Sequence, residues 1–111
     1  MLEVTIEQDR DVTILGLHGE LDSQSAPEVR EQLLNAVHSD SKIVLDMSNV
    51  SYMSSAGLRV LLLLYRRIRE NVGQIVVTGL HDEVRDVMAI TGFLDFFVTA
   101  KSRREAIMAM S

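Results

Sequence analysis

The segment LEVTIEQ, Leu2 to Gln8, alternates apolar and polar residues, the period of a strand with one buried face. DVTILGLHGEL, Asp11 to Leu21, predicts a second strand, and the short DRD at the junction predicts a hairpin. The period then changes. In SAPEVREQLLNAVHS the apolar positions Ala26, Val29, Leu33 and Val37 share one face of a helix, with Ser25 placed to cap it and Pro27 in its first turn. KIVLDM, Lys42 to Met47, is a short apolar run of the kind buried on both faces in mid-sheet. YMSSAGLRVLLLLYRR, from Tyr52, predicts a second helix reaching about Asn71, with Gly73 as its stop. QIVVTGL, Gln74 to Leu80, predicts another buried strand. HDEVRDVMAITG predicts a third helix with Val84, Val87, Met88 and Thr91 along one side and Gly92 at its end. FFVTA predicts an edge strand, and SRREAIMAM, opening with the capping box Ser102 and Glu105, a fourth helix.

The order β-β-α-β-α-β-α-β-α predicts an α/β fold: a mixed, mostly parallel sheet of four to five strands, a hairpin first and right-handed helical crossovers after it. Such a sheet places Ser54 and Ser55 just past the carboxyl end of the strand that starts at Lys42, the edge where functional loops gather. Two adjacent serines at the mouth of a leucine-rich helix pose the main chemical question of this sequence. A capping role explains one of them, since a hydroxyl can accept an otherwise orphaned N–H of the first turn. It leaves the second unexplained. Gly57 is open to two readings as well: close packing of the helix start on the sheet, or a mouth kept clear for another protein. In the helix itself, Leu58, Leu61, Leu62, Tyr65 and Ile68 form a core stripe, and Val60, Leu63 and Leu64 fall off it. Those three are expected to pack under the third helix, with a partner patch as the alternative.

Composition narrows the function classes. A chain of 111 residues fits one domain, 1–111, with a single core. With aromatics at 5% and no Trp, that core must be aliphatic. The absence of Cys excludes a thiolate metal site or a disulfide framework and fits a reducing compartment. A net charge of −5 argues against nucleic-acid binding, so RRIR (66–69) and KSRR (101–104) read as solvated helix surface. The apolar run from Val60 to Tyr65 falls far short of the roughly 20 residues of a membrane span, and the N-terminus has no signal-peptide pattern. Neither G-x-S-x-G nor a phosphate-cradling glycine motif occurs. None of His18, His38 and His81 has the sequence context of a triad base, so serine hydrolysis is not expected. The Asp82, Glu83, Asp86 cluster suits the dipole at a helix start better than a metal.

LHGELDSQSAPEVREQL, IVLDMSNVSYMSSAGLRVLLLLYRR and VRDVMAITGFLDFF, in this order and spacing, resemble the STAS-domain family of bacterial anti-sigma factor antagonists across essentially the whole chain. GELD (19–22) and SSAGLRVL (54–61) are the most specific parts. The resemblance implies a cytoplasmic binding switch with no catalytic residues, cofactor or metal of its own. The unmodified protein would bind an ATP-dependent serine kinase that doubles as the anti-sigma factor, freeing the sigma factor. Phosphorylation of one serine would end the contact, and a PP2C-type phosphatase would restore it. The family motif, typically Asp-Ser-Ser/Thr/Ala-Gly-Leu, aligned on Gly57–Leu58, implies Ser55 as acceptor and places Ser54 where the family has Asp. Partner binding is implied for Asp22, Ser23, Ser54, Ser55, Ala56, Gly57, Leu58 and Arg59. Asp22 and Asp46 match acidic positions that the family sets near the acceptor loop, with turn or capping roles as the alternative. The resemblance also leaves room for a STAS subunit that is never phosphorylated and binds an ABC transport ATPase in a lipid-trafficking complex. A monomer, bound to neither membrane nor nucleic acid, is expected.

Overall fold

A computed structural model of the chain describes residues 2–110. β1 (Leu2–Asp9) and β2 (Val12–Leu21) form the expected hairpin, in the register Asp9 opposite Val12 to Leu2 opposite Gly19. β3 (Lys42–Met53), β4 (Gln74–Thr78) and β5 (Val98–Ala100) extend it with parallel pairings, giving a five-stranded sheet in the order β1-β2-β3-β4-β5. The helices are α1 (Ala26–Asn35), α2 (Ser55–Glu70), α3 (Asp82–Ile90) and α4 (Arg103–Ala109). The strands that read as continuous apolar runs are those covered on both faces. On one face Leu15, Leu17, Ile43, Leu45, Met47, Ile75 and Val77 meet Val29 and Leu33 of α1, Leu61 and Leu64 of α2, and Val84 and Met88 of α3. On the other, Val12, Ile14, Val44 and Val76 lie under Ala106 of α4 and its C-cap Met110.

β3 runs six residues beyond the expected end at Met47, and Tyr52 belongs to it rather than to the helix. The register explains why. Gly16, His18 and Glu20 of β2 stand opposite Asp46, Asn49 and Tyr52 of β3, so each step of two on β2 meets three on β3. These are two successive bulges, each adding one unpaired residue to β3. Core positions then recur every third residue, at Met47, Val50 and Met53, a spacing that resembles a helix in sequence.

Smaller departures have local causes. Tyr65 and Leu62 of the predicted α2 stripe are only half-buried, while Val60 and Leu64 are in the core. α2 packs chiefly beside α1, not under α3, which turns its buried side toward Gly57, Val60, Leu61, Leu64 and Ile68. Leu63 is half-buried outside that set. Val37 lies past the end of α1 but still packs on the core, and Thr91 is the exposed C-cap of α3. Phe96 ends a short 3-10 turn, Phe93–Phe96, and so lies outside β5. Ser102 caps α4 by accepting the Glu105 N–H at 3.1 Å, whereas the Glu105 carboxylate reaches the N–H of Lys101, one residue before the cap.

Candidate functional site

The carboxyl ends of β2 and β3 lie side by side, with Leu21 opposite Met53 and the Ser54 N–H donating to the Leu21 carbonyl at 2.9 Å. That pairing brings the two most specific sequence segments, GELD and SSAGLRVL, to one place. Ser54 is extended (φ −88°, ψ 176°) and is the N-cap of α2; its Oγ accepts the Gly57 N–H at 3.4 Å and its carbonyl the Leu58 N–H at 3.0 Å. Ser55 is the first helical residue. It is exposed, and its hydroxyl has no partner among the described residues. The two serines thus have different work, one closing the helix and the other facing solvent.

Gly57 settles its alternatives by geometry. A Cβ there would lie 2.5 Å from the Leu21 carbonyl oxygen, 2.7 Å from Leu21 Cγ and 2.9 Å from Met53 Cγ, so the glycine allows α2 to start directly against the sheet. Gly57 and Leu58, expected among the partner-binding residues, are both buried. They shape the surface from beneath and cannot themselves present a side chain to a partner. Ala56 is half-buried, and Ser23 and Arg59 are exposed. Tyr52, 49% exposed at the end of β3, adds an aromatic ring near this edge that the misplaced strand boundary had hidden.

Asp22 belongs to the same corner in a turn role. Its Oδ1 accepts the N–H groups of Gln24 and Ser25, each at 3.0 Å. The Ser25 N–H above all holds the carboxyl below its ordinary range. Ser25, expected to cap α1 with its side chain, instead donates from Oγ to the Glu20 carbonyl at 2.9 Å and accepts the Asp22 N–H at 3.0 Å. The turn takes its hydroxyl before α1 can use it.

Asp46 is not at the acceptor loop. Gly16, its partner on β2, precedes Leu21 by five residues, about 17 Å of strand. Its side chain lies on the α4 face, where Oδ1 accepts the Ser48 hydroxyl at 2.6 Å and the Ser48 N–H at 2.9 Å, and Oδ2 accepts Arg103 Nε at 2.6 Å. Arg103 also donates to Glu7 at 2.7 Å, so one guanidinium joins β1, β3 and α4. Burial pushes the Asp46 carboxyl up, and the bonds from Ser48 and Arg103 outweigh it, leaving the group below the usual carboxylate range. No sequence signal marks this network, since Arg103 lies 57 positions from Asp46. Two of the three histidines have side-chain partners elsewhere: His18 with Thr5 and Asn49, His81 with the Ser48 carbonyl. Among the described residues no group of three or more His, Asp or Glu could hold a metal ion, and no helix is long and apolar enough to cross a membrane.

This arrangement, a hairpin-led sheet with a serine mouth at the ends of its central strands, has close counterparts. A sequence model of the STAS domain matches residues 3–106. The chain belongs to the STAS domain family. A protein of Bordetella bronchiseptica named as an anti-sigma factor antagonist, BtrV, is 35% identical over 109 residues, covering 97% of this chain and 94% of that one. The crystal structure of an anti-sigma factor antagonist from Mycobacterium paratuberculosis superposes with a TM-score of 0.88 at 23% identity, over 98% of this chain and 93% of that one. The Bacillus cell fate determinant SpoIIAA, solved in its phosphorylated form, superposes with a TM-score of 0.71 at 22% identity, over 98% of this chain and 100% of that one.

Proposed function

We propose that this STAS domain is an anti-sigma factor antagonist that acts by binding alone, as a cytoplasmic monomer, and is switched off at Ser55. Unmodified, it binds an ATP-dependent serine kinase that holds a sigma factor, and the sigma factor is released. The kinase then transfers the γ-phosphoryl group of ATP to the Ser55 Oγ; ADP leaves, and the hydroxyl proton passes to a base of the kinase. A PP2C-type phosphatase hydrolyses the ester, returning serine and inorganic phosphate. The observation that carries this reading is the division of labour at the mouth of α2, where Ser54 caps the helix and the Ser55 hydroxyl is exposed, with no bond among the described residues. The naming of the Bordetella relative as an antagonist supports it.

The physics favours a switch that acts on the partner rather than on the fold. A phosphate on Ser55 stands at the positive end of a helix dipole, in water, where it strains nothing. In a closed interface the same group meets desolvation and any facing carboxylate. At an effective dielectric of 20, one like-charge pair at 4 Å costs about 4 kcal/mol, roughly three powers of ten in affinity. The exposed surface offered for the contact comprises Ser23, Ser55, Arg59 and the partly exposed Asp22, Ser54 and Ala56.

The test is calorimetry with the kinase recovered by pull-down. Ser55→Ala binds as wild type does, and Ser55→Asp binds at least about tenfold more weakly with an unchanged melting temperature. Fragmentation mass spectrometry after incubation with kinase and ATP finds the phosphate on Ser55. Equal affinities of the two variants, phosphate on Ser54, or incorporation that persists in Ser55→Ala would each overturn the reading. Recovery of an ABC-type ATPase in place of a kinase would point to the transport role.

A further inference from the structure

We propose that Arg59 is the intramolecular partner of the phosphate on Ser55, so that the switch both adds negative charge to the surface and withdraws the one cation in the first two turns of α2. The inference rests on Ser55 being the acceptor, as proposed above. Ser55 opens α2 and Arg59 follows four residues later, which places both on one stripe of the helix with Cβ atoms about 6 Å apart. Long side chains on a helix lean toward its N-terminus, over the residue four positions back, and for Arg59 that residue is Ser55. An anion four residues before a cation is also the favourable order for such a pair.

The surroundings leave this pairing open. Both residues are exposed, and Arg59 makes no hydrogen bond or ion pair among the described residues. Arg103, by contrast, is held by Asp46 and Glu7, and Arg69 lies over the ring of Tyr65. Ala56 and Gly57 have no side chains long enough to intervene. Arg59 is the only charged residue from Ser55 to Leu62; the other arginines of α2 lie in its last turns. The helix mouth itself is partly used, since Ser54 takes the Gly57 N–H. A dianion on Ser55 therefore finds few backbone donors and one free guanidinium, whose fork fits phosphate oxygens bidentately. Glu20 and Asp22, the acidic residues at the end of β2 beside this mouth, are common to every variant below, and Asp22 Oδ1 is bound in its own turn.

The full chain is made with phosphoserine placed at position 55 by expanded-code translation, which needs no kinase. The phosphate is titrated by phosphorus NMR at low salt in three proteins: otherwise wild type, Arg59→Gln and Arg66→Gln. Pairing with Arg59 stabilises the dianion, so its midpoint lies lower in the wild-type background than in Arg59→Gln by about half a pH unit or more. The gap narrows in 1 M salt, where the screening length is about 3 Å. Arg66→Gln titrates as wild type. Equal midpoints for wild type and Arg59→Gln at low salt would overturn the proposal, as would an equally large shift in Arg66→Gln. Failure of the switch reading registers separately: the phosphoserine protein would bind the kinase as tightly as the unmodified one, whatever its titration shows.

Discussion

On its inner side the start of α2 has no spare room: a single methyl group on Gly57 would press on the Leu21 carbonyl oxygen and on the side chains of Leu21 and Met53. On its outer side, in the same two turns, Ser55 and Arg59 are exposed, and neither side chain makes a hydrogen bond or ion pair among the described residues. The contrast teaches how such a surface can accept two new negative charges without disturbing the fold. The tight side fixes where the helix begins, and the Leu21–Met53 pairing fixes what it begins against. The open side is then held in place by contacts it does not itself make.

Leucines on the buried and the outer side of α2 differ most when they are truncated. Leu64 is fully buried in the main core, whereas Leu63 is half-buried outside it. Leu64→Ala therefore loses about 2–5 kcal/mol of stability, through lost transfer energy and the cavity left behind. Leu63→Ala loses less than about 1 kcal/mol. Urea titration of the two variants measures the difference, and similar losses would mean that the helix is turned otherwise than described.

A smaller effect sharpens the same point at the mouth. Gly57→Ala gains up to about 1 kcal/mol of helix propensity but must push the backbone of Leu21 or the start of α2 aside, at about 1–3 kcal/mol. The net result is a loss of up to about 2 kcal/mol, read as a lower urea midpoint. Because the shift moves Ser55, affinity for the proposed kinase partner falls with it. A stabilised Gly57→Ala protein would show that the glycine keeps the mouth clear for a partner rather than for the sheet.

Much of this architecture is legible in the sequence, because burial imposes its period on the chain. Leu2 to Gln8 alternates, α2 carries a leucine face, and the two-sided burial of β3 and β4 shows as apolar runs. The second half of β3 escapes for a physical reason: its bulges turn a period of two into a period of three, and Met47, Val50 and Met53 then read as the approach to a helix. Tyr52 was misplaced with it. Asp46 escapes differently. Its partner Arg103 comes from the far end of the chain, and nothing local distinguishes an aspartate that ties α4 to the sheet from one that faces an acceptor loop. At the mouth, spacing shows two serines and a glycine but not which way each points, and direction decides their roles.

The smallest predicted effect concerns Ser54, and it separates capping from signalling. Its hydroxyl accepts the Gly57 N–H at 3.4 Å, a long bond, from the position where the family pattern has aspartate. An aspartate there can make the same acceptance and adds a negative charge at the positive end of the helix dipole. Ser54→Asp therefore changes stability by no more than about 1 kcal/mol, in the stabilising direction. Ser54→Ala removes the acceptor and costs about 1 kcal/mol, placing wild type between the two in thermal melts. Neither substitution touches the Ser55 hydroxyl, so under the proposed switch both variants still take up phosphate from the kinase, and peptide mapping finds it on Ser55. If Ser54→Ala were as stable as wild type, the cap at 3.4 Å would contribute nothing. If Ser54→Ala abolished phosphorylation while leaving the melt unchanged, the signalling hydroxyl would be Ser54, and the two sides of the mouth would have exchanged roles.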